Sequence, residues 1–235
     1  MATQPLPTRY DTQREKLAAY FDGTARKAWI DLTSDVEVSG IRATMRAGRD
    51  AMRAQLLDWL PADLRRMSVL DAGCGTGALS VDAACRGAQV TAVDIASGLV
   101  AIARERAPGF VGHGRIDWHV GDMLDPALGE FDHVVAMDSL IHYRSDDIVE
   151  TIEALGARCR KSIAFTFAPY TRLLGAMHMA GKLFPRGNRS PAIIPVSEAE
   201  LRRKLSRVRG WRVARTQRIA SGFYTSQAME LVRTR

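Results

Sequence analysis

Three glycines at alternate positions have the spacing that most strongly suggests ligand chemistry in this sequence. Gly73, Gly75 and Gly77 follow a short apolar run at 69–70 that ends in Asp71. The run predicts a buried strand, and the glycines predict a tight turn whose backbone approaches a ligand closely. Turns of this kind commonly hold a nucleotide-like cofactor at the mouth of a parallel sheet.

The glycines by themselves leave the identity of the cofactor open. With Ala78 they also satisfy the G-x-G-x-x-G/A pattern of dinucleotide enzymes. Three carboxylates narrow the choice, because each stands at or just after the end of a different predicted strand. Asp71 is placed to meet a cation such as the amino group of a bound methionine, Asp94 can accept from two ribose hydroxyls, and Asp122 can accept from an adenine amino group. This series matches S-adenosylmethionine (SAM) and leaves no obvious pyrophosphate site.

Neighbours of these carboxylates complete the predicted cofactor site. Met123 is expected against the adenine ring, and Asp138, at the end of the fourth predicted strand, could contact the methionine part of the cofactor or cap its loop. The cofactor-binding residues predicted in this way are Asp71, Gly73, Gly75, Gly77, Asp94, Ile95, Asp122, Met123 and Asp138. The cysteines and histidines lack the spacing of metal ligands, so no protein-bound metal is predicted.

Alternating strand-like and helix-like segments between residues 68 and 168 must position these side chains. This rhythm predicts a parallel, doubly wound α/β sheet. The predicted strands are 68–71, 89–94, 116–120, 131–138 and 161–168, and the helices between them are 76–86, 97–106 and 146–159. A further helix at 198–208 and an antiparallel hairpin at 211–218 and 223–232 follow.

Segments outside this core have a different composition. Helices are predicted at 9–33, with a break at Gly23, and at 38–60. The second carries a basic stripe, which is either a solvated face or a wall facing an acidic ligand, formed by Arg42, Arg46, Arg49 and Arg53. The segment 170–195 is both apolar and basic and suits a flexible lid. The expected organisation is therefore an N-terminal helical arm at 1–61, a SAM-binding core at 62–169, a substrate lid at 170–195, and a C-terminal helix and hairpin at 196–235.

Composition excludes several classes of protein. The chain is 46% hydrophobic and 25% charged, as is usual for a globular protein, and no apolar run is long enough to span a bilayer. Three scattered cysteines and a polar N-terminus predict a reduced, cytoplasmic protein. The net charge of +7 is concentrated at the end, since residues 169–235 carry fourteen Lys or Arg against three Asp or Glu. Nucleic acid, anionic lipid or a small anionic substrate could each explain that charge.

Taken together, VLDAGCGTG, TAVD and GDM resemble the class I SAM-dependent methyltransferases over residues 68–168. Further motifs, DSLIHY at 138–143, FAP at 167–169 and LFPRGNRS at 183–190, resemble the magnesium-protoporphyrin IX methyltransferase family. YFDGTARKAW at 20–29 and FYTS at 223–226 extend the likeness over nearly the whole chain.

The resemblance implies a Rossmann-like sheet of seven strands with the last one antiparallel. It also implies methyl transfer from SAM to one propionate of Mg-protoporphyrin IX, which gives the monomethyl ester and S-adenosylhomocysteine (SAH) on the route to chlorophylls and bacteriochlorophylls. His142 is expected to orient or deprotonate the propionate, and Tyr20 to close over the same opening. The substrate is flat, apolar and anionic, so an apolar and basic site is expected, formed by Arg42, Arg46 and Phe184. The alternative reading of both His142 and Tyr20 is a structural role.

The resemblance also suggests partners and alternatives. A transient complex with the porphyrin-carrying subunit of magnesium chelatase and a peripheral association with the photosynthetic membrane are expected. Methylation of another anionic or quinone-type acceptor is the alternative within the class. A basic RNA- or membrane-binding module is the non-enzyme alternative, although the basic segment lacks the interleaved aromatic residues of a nucleic-acid stacking platform, and no nucleic-acid partner is predicted.

Overall fold

The computed structural model describes residues 9–23, 40–170 and 192–234, without the side chains of Ile41 and Arg42. Its helices are α1 (Arg9–Asp22), α2 (Gly40–Trp59), α3 (Ala78–Cys85), α4 (Ser97–Arg106), α5 (Ser145–Ala157) and α6 (Glu198–Leu205). Its strands are β1 (Ser68–Ala72), β2 (Gln89–Asp94), β3 (Arg115–Val120), β4 (Phe131–Ala136), β5 (Cys159–Phe167), β6 (Trp211–Ser221) and β7 (Tyr224–Arg233).

The seven strands form one sheet in the order β3-β2-β1-β4-β5-β7-β6. Strands β1 to β5 pair in parallel, whereas β7 is antiparallel to both β5 and β6. This confirms the predicted seven-stranded sheet with its antiparallel last strand. The strand order reverses between β1 and β4, and ligands of open α/β sheets bind at the carboxyl ends of the strands at such a reversal.

Apolar side chains cover both faces of the sheet. Leu56 of α2 and Leu79 of α3 belong to the cluster on one face, and Ile152 of α5 and Leu201 of α6 belong to the cluster on the other. Because both faces of the sheet are buried, the central strands have continuous apolar sequences rather than sequences that alternate between apolar and polar residues. None of the helices that the structure describes is long and apolar enough to cross a membrane.

The ends of two predicted elements are wrong beside the glycine turn and after β4. Gly77 has a φ of 83°, so the helix predicted from residue 76 begins at Ala78 instead. Strand β4 ends at Ala136, two residues before the predicted end, because Asp138 adopts a left-handed conformation with a φ of 54°. A left-handed residue cannot continue a strand, and it turns the chain away from the sheet edge.

The predicted end of α5 and start of β5 are also wrong. Helix α5 ends at Ala157 and Cys159 already pairs with Phe131 of β4, although the sequence predicted helix to 159 and strand only from 161. Strand β6 extends to Ser221, three residues beyond its prediction, because it pairs with β7 up to the Gly222 turn. The helical predictions for 24–33 and 38–39, and residues 171–191 of the predicted lid, lie outside the described residues.

Candidate active site

A cavity of about 340 Å³ opens at the carboxyl edge of the sheet, where the strand order reverses. The glycine turn, the ends of the central strands, α1 and α2 all contribute to its lining. The predicted site residues that line it are Arg46, Asp71, Gly73, Gly75, Asp94, Ile95, Met123, Asp138 and His142. Gly77, Asp122 and Tyr20 are not among the described residues of the lining. The side chain of Arg42 and all of Phe184 lie outside the description.

The glycine turn has the backbone geometry that the sequence predicted. Gly73, Gly75 and Gly77 have φ values of +88°, +53° and +83°. A Cβ on Gly73 would lie 2.4 Å from the Cβ of Ser139, and one on Gly77 would lie 2.4 Å from the Trp118 ring. The turn therefore requires glycine for both its left-handed backbone and its close contacts.

Two carboxylates lie beneath and beside this turn. Asp71 is 1% exposed and accepts a 2.6 Å hydrogen bond from the Ser80 hydroxyl. Burial raises the pKa of Asp71 to about 7, against the lowering effect of Ser80 and with help from the charge of Asp94. Desolvation also raises the pKa of Asp94, although the backbone N–H groups of Ala96 and Gly75 donate to its two oxygens at 2.9 and 2.8 Å.

Asp94 keeps acceptor capacity at the end of β2, because each carboxylate oxygen has a second lone pair. This capacity suits the two hydroxyls of a ribose. The buried carboxyl of Asp71 suits a cation, since a buried carboxylate is stabilised by an opposite charge. The arrangement of both residues fits the ribose and the amino-acid part of SAM.

Asp122 is held by α1 in a way that sequence reasoning missed. Its Oδ1 accepts from the Tyr10 hydroxyl at 2.6 Å and from the backbone N–H of Leu124 at 2.9 Å, and Arg14 forms an ion pair with its Oδ2. Burial and this hydrogen bond raise the pKa of the Tyr10 hydroxyl far above its ordinary value. The carboxylate predicted to meet adenine therefore also anchors the N-terminal helix.

Asp138 lies at the centre of a hydrogen-bond cluster below the cavity. Its side chain is 6% exposed and accepts from Arg49 Nη1 at 2.8 Å, from the Tyr224 hydroxyl at 3.1 Å, and from Ser226 and Thr166 at 3.3 and 3.2 Å. The Asp138 N–H in turn donates to Thr166 Oγ1 at 2.7 Å. These contacts fasten α2, β5 and β7 to the loop after β4.

His142 is a buried, neutral base on the same loop. Burial lowers its pKa, against the raising effects of the Ala192 carbonyl and of Asp138. Nδ1 lies 3.3 Å from the Ala192 carbonyl oxygen, a bond that requires a proton on Nδ1. The neutral ring then carries its lone pair on Nε2, which makes that atom a hydrogen-bond acceptor.

Tyr20 is separated from the cavity by the ring of Phe21, which lines it. Its ring packs edge-on against Phe21, with centroids 5.2 Å apart, and Phe21 lies against His142 with centroids 6.1 Å apart. Four residues of α1 on one face line the cavity, namely Tyr10, Arg14, Leu17 and Phe21. The sequence signal for this face is the spacing of these four residues at i, i+4, i+7 and i+11, which places them on one side of a helix.

The predicted basic stripe faces the cavity rather than solvent alone. Arg46, Arg49 and Arg53 all line it. Arg53 forms ion pairs with Asp50 and Asp82, both at 2.8 Å, whereas Arg49 pairs with Asp138. Of the two readings that the sequence left open, the structure thus favours a wall of the cavity for the described arginines. Ser139 and Tyr224, which sequence reasoning did not single out, stand inside the DSLIHY and FYTS motifs.

The sheet order, the glycine turn and the carboxylates at successive strand ends define a class I SAM-dependent methyltransferase. A family model described as a methyltransferase domain matches residues 69–162, and one described as the magnesium-protoporphyrin IX methyltransferase C-terminus matches residues 136–233.

Full-length relatives identify the family. The magnesium-protoporphyrin O-methyltransferase of Rhodobacter capsulatus is 49% identical over 226 residues, which cover 96% of this chain and 99% of the relative. The enzyme of the same name from Synechocystis sp. PCC 6803 is 30% identical over 92% of this chain and 94% of its own length. A crystal structure of magnesium protoporphyrin IX methyltransferase from Synechocystis PCC 6803 with bound SAH superimposes with a TM-score of 0.79 at 29% identity, covering 94% of this chain and 99% of that one. The chain belongs to the magnesium-protoporphyrin IX methyltransferase family.

Proposed function

We propose that this protein transfers a methyl group from SAM to a propionate carboxylate of Mg-protoporphyrin IX, forming the monomethyl ester and SAH in chlorophyll or bacteriochlorophyll biosynthesis. The observation that carries the proposal is a single cavity that joins a SAM-type glycine turn to a neutral histidine and a row of arginines. Membership of the family supports the same reaction.

The substrate's ionisation state limits what the protein must do. A propionic acid has an ordinary pKa near about 4.3, so it is already ionised at neutral pH. SAM supplies a methyl group on a positively charged sulfur, and the carboxylate oxygen forms the O–CH₃ bond as the S–CH₃ bond breaks. The residues of the cavity therefore need to align the carboxylate and exclude water rather than remove a tightly held proton.

His142 is proposed to orient the propionate or to take its proton when the carboxyl is protonated. Its lowered pKa keeps the ring neutral, and its Nδ1 bond to Ala192 leaves Nε2 as an acceptor. Nε2 can therefore accept a hydrogen bond from the carboxyl group while that group holds its proton, whereas an ionised carboxylate needs donors such as the arginines of the cavity. Tyr20 is proposed to act from α1, whose far end is also fixed, since Asp22 accepts from the backbone N–H of Gly98 at 2.8 Å. This anchoring supports a role for α1 in covering the reactants.

The proposed acceptor site combines positive charge with apolar surface. Arg46 and Arg49 line the cavity, and Arg42 and Phe184 are proposed to contribute from outside the described side chains. Large apolar side chains exposed at the same edge of the sheet include Tyr170, Ile193 and Phe223. Tyr170 follows β5, and Phe223 lies between β6 and β7. Ile193 precedes Ile194, whose N–H donates to the carbonyl of Ile141 in the loop after β4. A flat, apolar, anionic porphyrin matches this mixture, and the segment 170–195 is proposed as its lid.

The test of this function is formation of the monomethyl ester by purified full-length protein supplied with SAM and Mg-protoporphyrin IX, followed by mass spectrometry. His142→Ala should lower kcat by about tenfold or more, because the acceptor loses a partner that aligns it with the methyl group, and Tyr20→Phe should also lower it. SAH affinity by calorimetry should stay within about twofold in both variants. His113→Ala, at an exposed position outside the cavity, is the matched control.

Two outcomes would count against the proposal. Binding of SAH without any ester formation would leave a methyltransferase with another acceptor, and a quinone precursor would then be tested in the same assay. Loss of SAH binding in His142→Ala would assign that residue to the cofactor site instead.

We also propose peripheral contact with anionic membranes and a transient complex with the porphyrin-carrying subunit of magnesium chelatase. Exposed arginines on α6, between α6 and β6, and along β6 support both contacts, namely Arg202, Arg203, Arg207, Arg209, Arg212 and Arg218. Flotation with vesicles containing anionic lipid should show binding that falls as salt rises. Binding that is insensitive to salt, or equal on neutral vesicles, would contradict the electrostatic contact.

Co-purification of this protein with the porphyrin-carrying subunit of magnesium chelatase would test the proposed transient complex.

A further inference from the structure

The hydroxyl of Ser139 is a buried polar group that has no hydrogen-bond partner among the described residues. Among the residues that the structure describes, two buried side-chain polar atoms have no hydrogen-bond partner, Ser139 Oγ and His133 Nε2. Ser139 lines the cavity, whereas His133 does not. A buried hydroxyl without a partner costs free energy, so one that borders a ligand cavity points to a partner on the ligand.

Ser139 also has a defined place relative to the cofactor turn. Its Cβ lies 2.4 Å, and its Oγ 3.1 Å, from where a Cβ on Gly73 would be. It thus lies between the carboxyl ends of β1 and β4, whereas Asp94 and Met123 mark the ribose and adenine side at β2 and β3. Ser139 therefore borders the end of the cavity where the amino-acid part of SAM and the acceptor meet.

The backbone donors of the turn are already engaged within the protein. The N–H groups of Gly73 and Cys74 both donate to the Val93 carbonyl, at 2.8 and 3.0 Å, and that of Gly75 donates to Asp94. Both the methionine part of SAM and the proposed acceptor carry a carboxylate. A carboxylate beside the buried Asp71 requires donors, and the turn offers none of these three N–H groups.

We propose that the Ser139 hydroxyl donates a hydrogen bond to a reactant carboxylate, either that of the methionine part of SAM or that of the acceptor. The second source rests on the proposed function, and the first does not. The hydroxyl then positions one reactant for transfer while taking no part in bond making.

Calorimetry with SAH and with 5′-methylthioadenosine, which lacks the amino-acid part, distinguishes the two sources. If the cofactor carboxylate is the partner, Ser139→Ala should weaken SAH binding about tenfold or more, as expected for a hydrogen bond to a charged group. Its affinity for 5′-methylthioadenosine should match that of the wild type. If the acceptor carboxylate is the partner, SAH affinity should be unchanged and KM for Mg-protoporphyrin IX should rise by a similar factor. Ser206→Ala, exposed and outside the cavity, is the control.

Thermal unfolding of the unliganded protein separates this role from a structural one. Removing an unsatisfied hydroxyl should leave the Tm of Ser139→Ala equal to or above that of the wild type. A clearly lower Tm, equal weakening for both adenosine ligands, or unchanged SAH affinity and KM would overturn the proposal. Because the calorimetric arm needs no acceptor, it still decides whether the cofactor carboxylate is the partner if Mg-protoporphyrin IX is not methylated.

Discussion

Buried carboxylates determine the properties of the site at the scale of single residues. Asp71, Asp94 and Asp138 all border one cavity, yet they differ in what holds them. Asp94 is bonded to backbone N–H groups, Asp138 to an arginine and hydroxyls, and Asp71 to the hydroxyl and backbone of Ser80. Burial raises the pKa of Asp71 accordingly, because little around it compensates for the lost hydration.

Asp94→Asn should weaken SAH binding by about tenfold or more, because the amide keeps one acceptor oxygen and loses the charge that strengthens bonds to ribose hydroxyls. Calorimetry would measure the change. Asp117→Asn, at an exposed position on β3, should bind SAH as the wild type does. An unaltered affinity in Asp94→Asn would contradict the ribose assignment.

Asp71→Asn should change how stability depends on pH. The pKa of Asp71 is raised from 3.8 to about 7 in the folded protein, so its protonated form stabilises the fold below pH 4 and this contribution is lost as pH rises through 7. The Tm of the variant minus that of the wild type should therefore increase between pH 5 and pH 8, by at least about 3 °C. Scanning fluorimetry without ligand would show it, and a constant difference would contradict it.

Close packing of helix α2 on the β6–β7 hairpin positions the arginines at the scale of elements. Gly48 allows this approach, since a Cβ there would lie 2.5 Å from Tyr224 Cδ1 and 2.9 Å from Tyr224 Cβ. Tyr224 in turn bonds Asp138, which pairs with Arg49. The helix α2 and the loop after β4 are thus fastened through one carboxylate.

Gly48→Ala should destabilise the fold by about 1–3 kcal/mol, because overpacking outweighs the better helix propensity of alanine. Chemical denaturation would measure the free energy of unfolding. Gly40→Ala, where the structure places nothing within 4 Å, should change it by less than about 1 kcal/mol. Equal effects at both positions would contradict the close contact with Tyr224.

At the scale of the whole molecule, the cavity and the buried side chain of His133 lie toward opposite ends of the sheet. The cavity lies at the carboxyl ends of the strands, whereas His133 is near the start of β4 and its Nδ1 lies 2.7 Å from Ser162 Oγ. Burial lowers the pKa of His133 from 6.5 to about 4, with a further lowering by Lys161. This buried position away from the cavity is consistent with a structural role for His133.

His133→Gln should make the protein less sensitive to acid. In the folded protein this imidazole stays neutral, so its contribution is present above pH 6.5 and is lost as pH falls toward 4, where the unfolded chain binds the extra proton. The wild type should lose more Tm between pH 7 and pH 5 than His133→Gln does. The control His119→Gln, at an exposed position, should follow the wild type. Equal losses in all three proteins would contradict the prediction.

Much of the fold could be predicted because its signals are local. Apolar runs, glycines and terminal acids gave the order of strands and helices, and errors were confined to ends such as that at Asp138. Asp138 has a left-handed backbone, and its carboxylate accepts hydrogen bonds from Arg49 and Tyr224, which are 89 and 86 residues away. No local pattern contains that information.

The sequence by itself determined the glycine turn, the carboxylates at the strand ends and the resemblance to a methyltransferase family. Each of these depends on a pattern of residues that are close together in the chain. Only the tertiary structure decided that Asp122 is held by Tyr10 and Arg14, that the described arginines of α2 face the cavity, and that the Ser139 hydroxyl has no partner among the described residues. These facts depend on distances and burial between segments far apart in sequence, which exist only once the helices pack on the sheet.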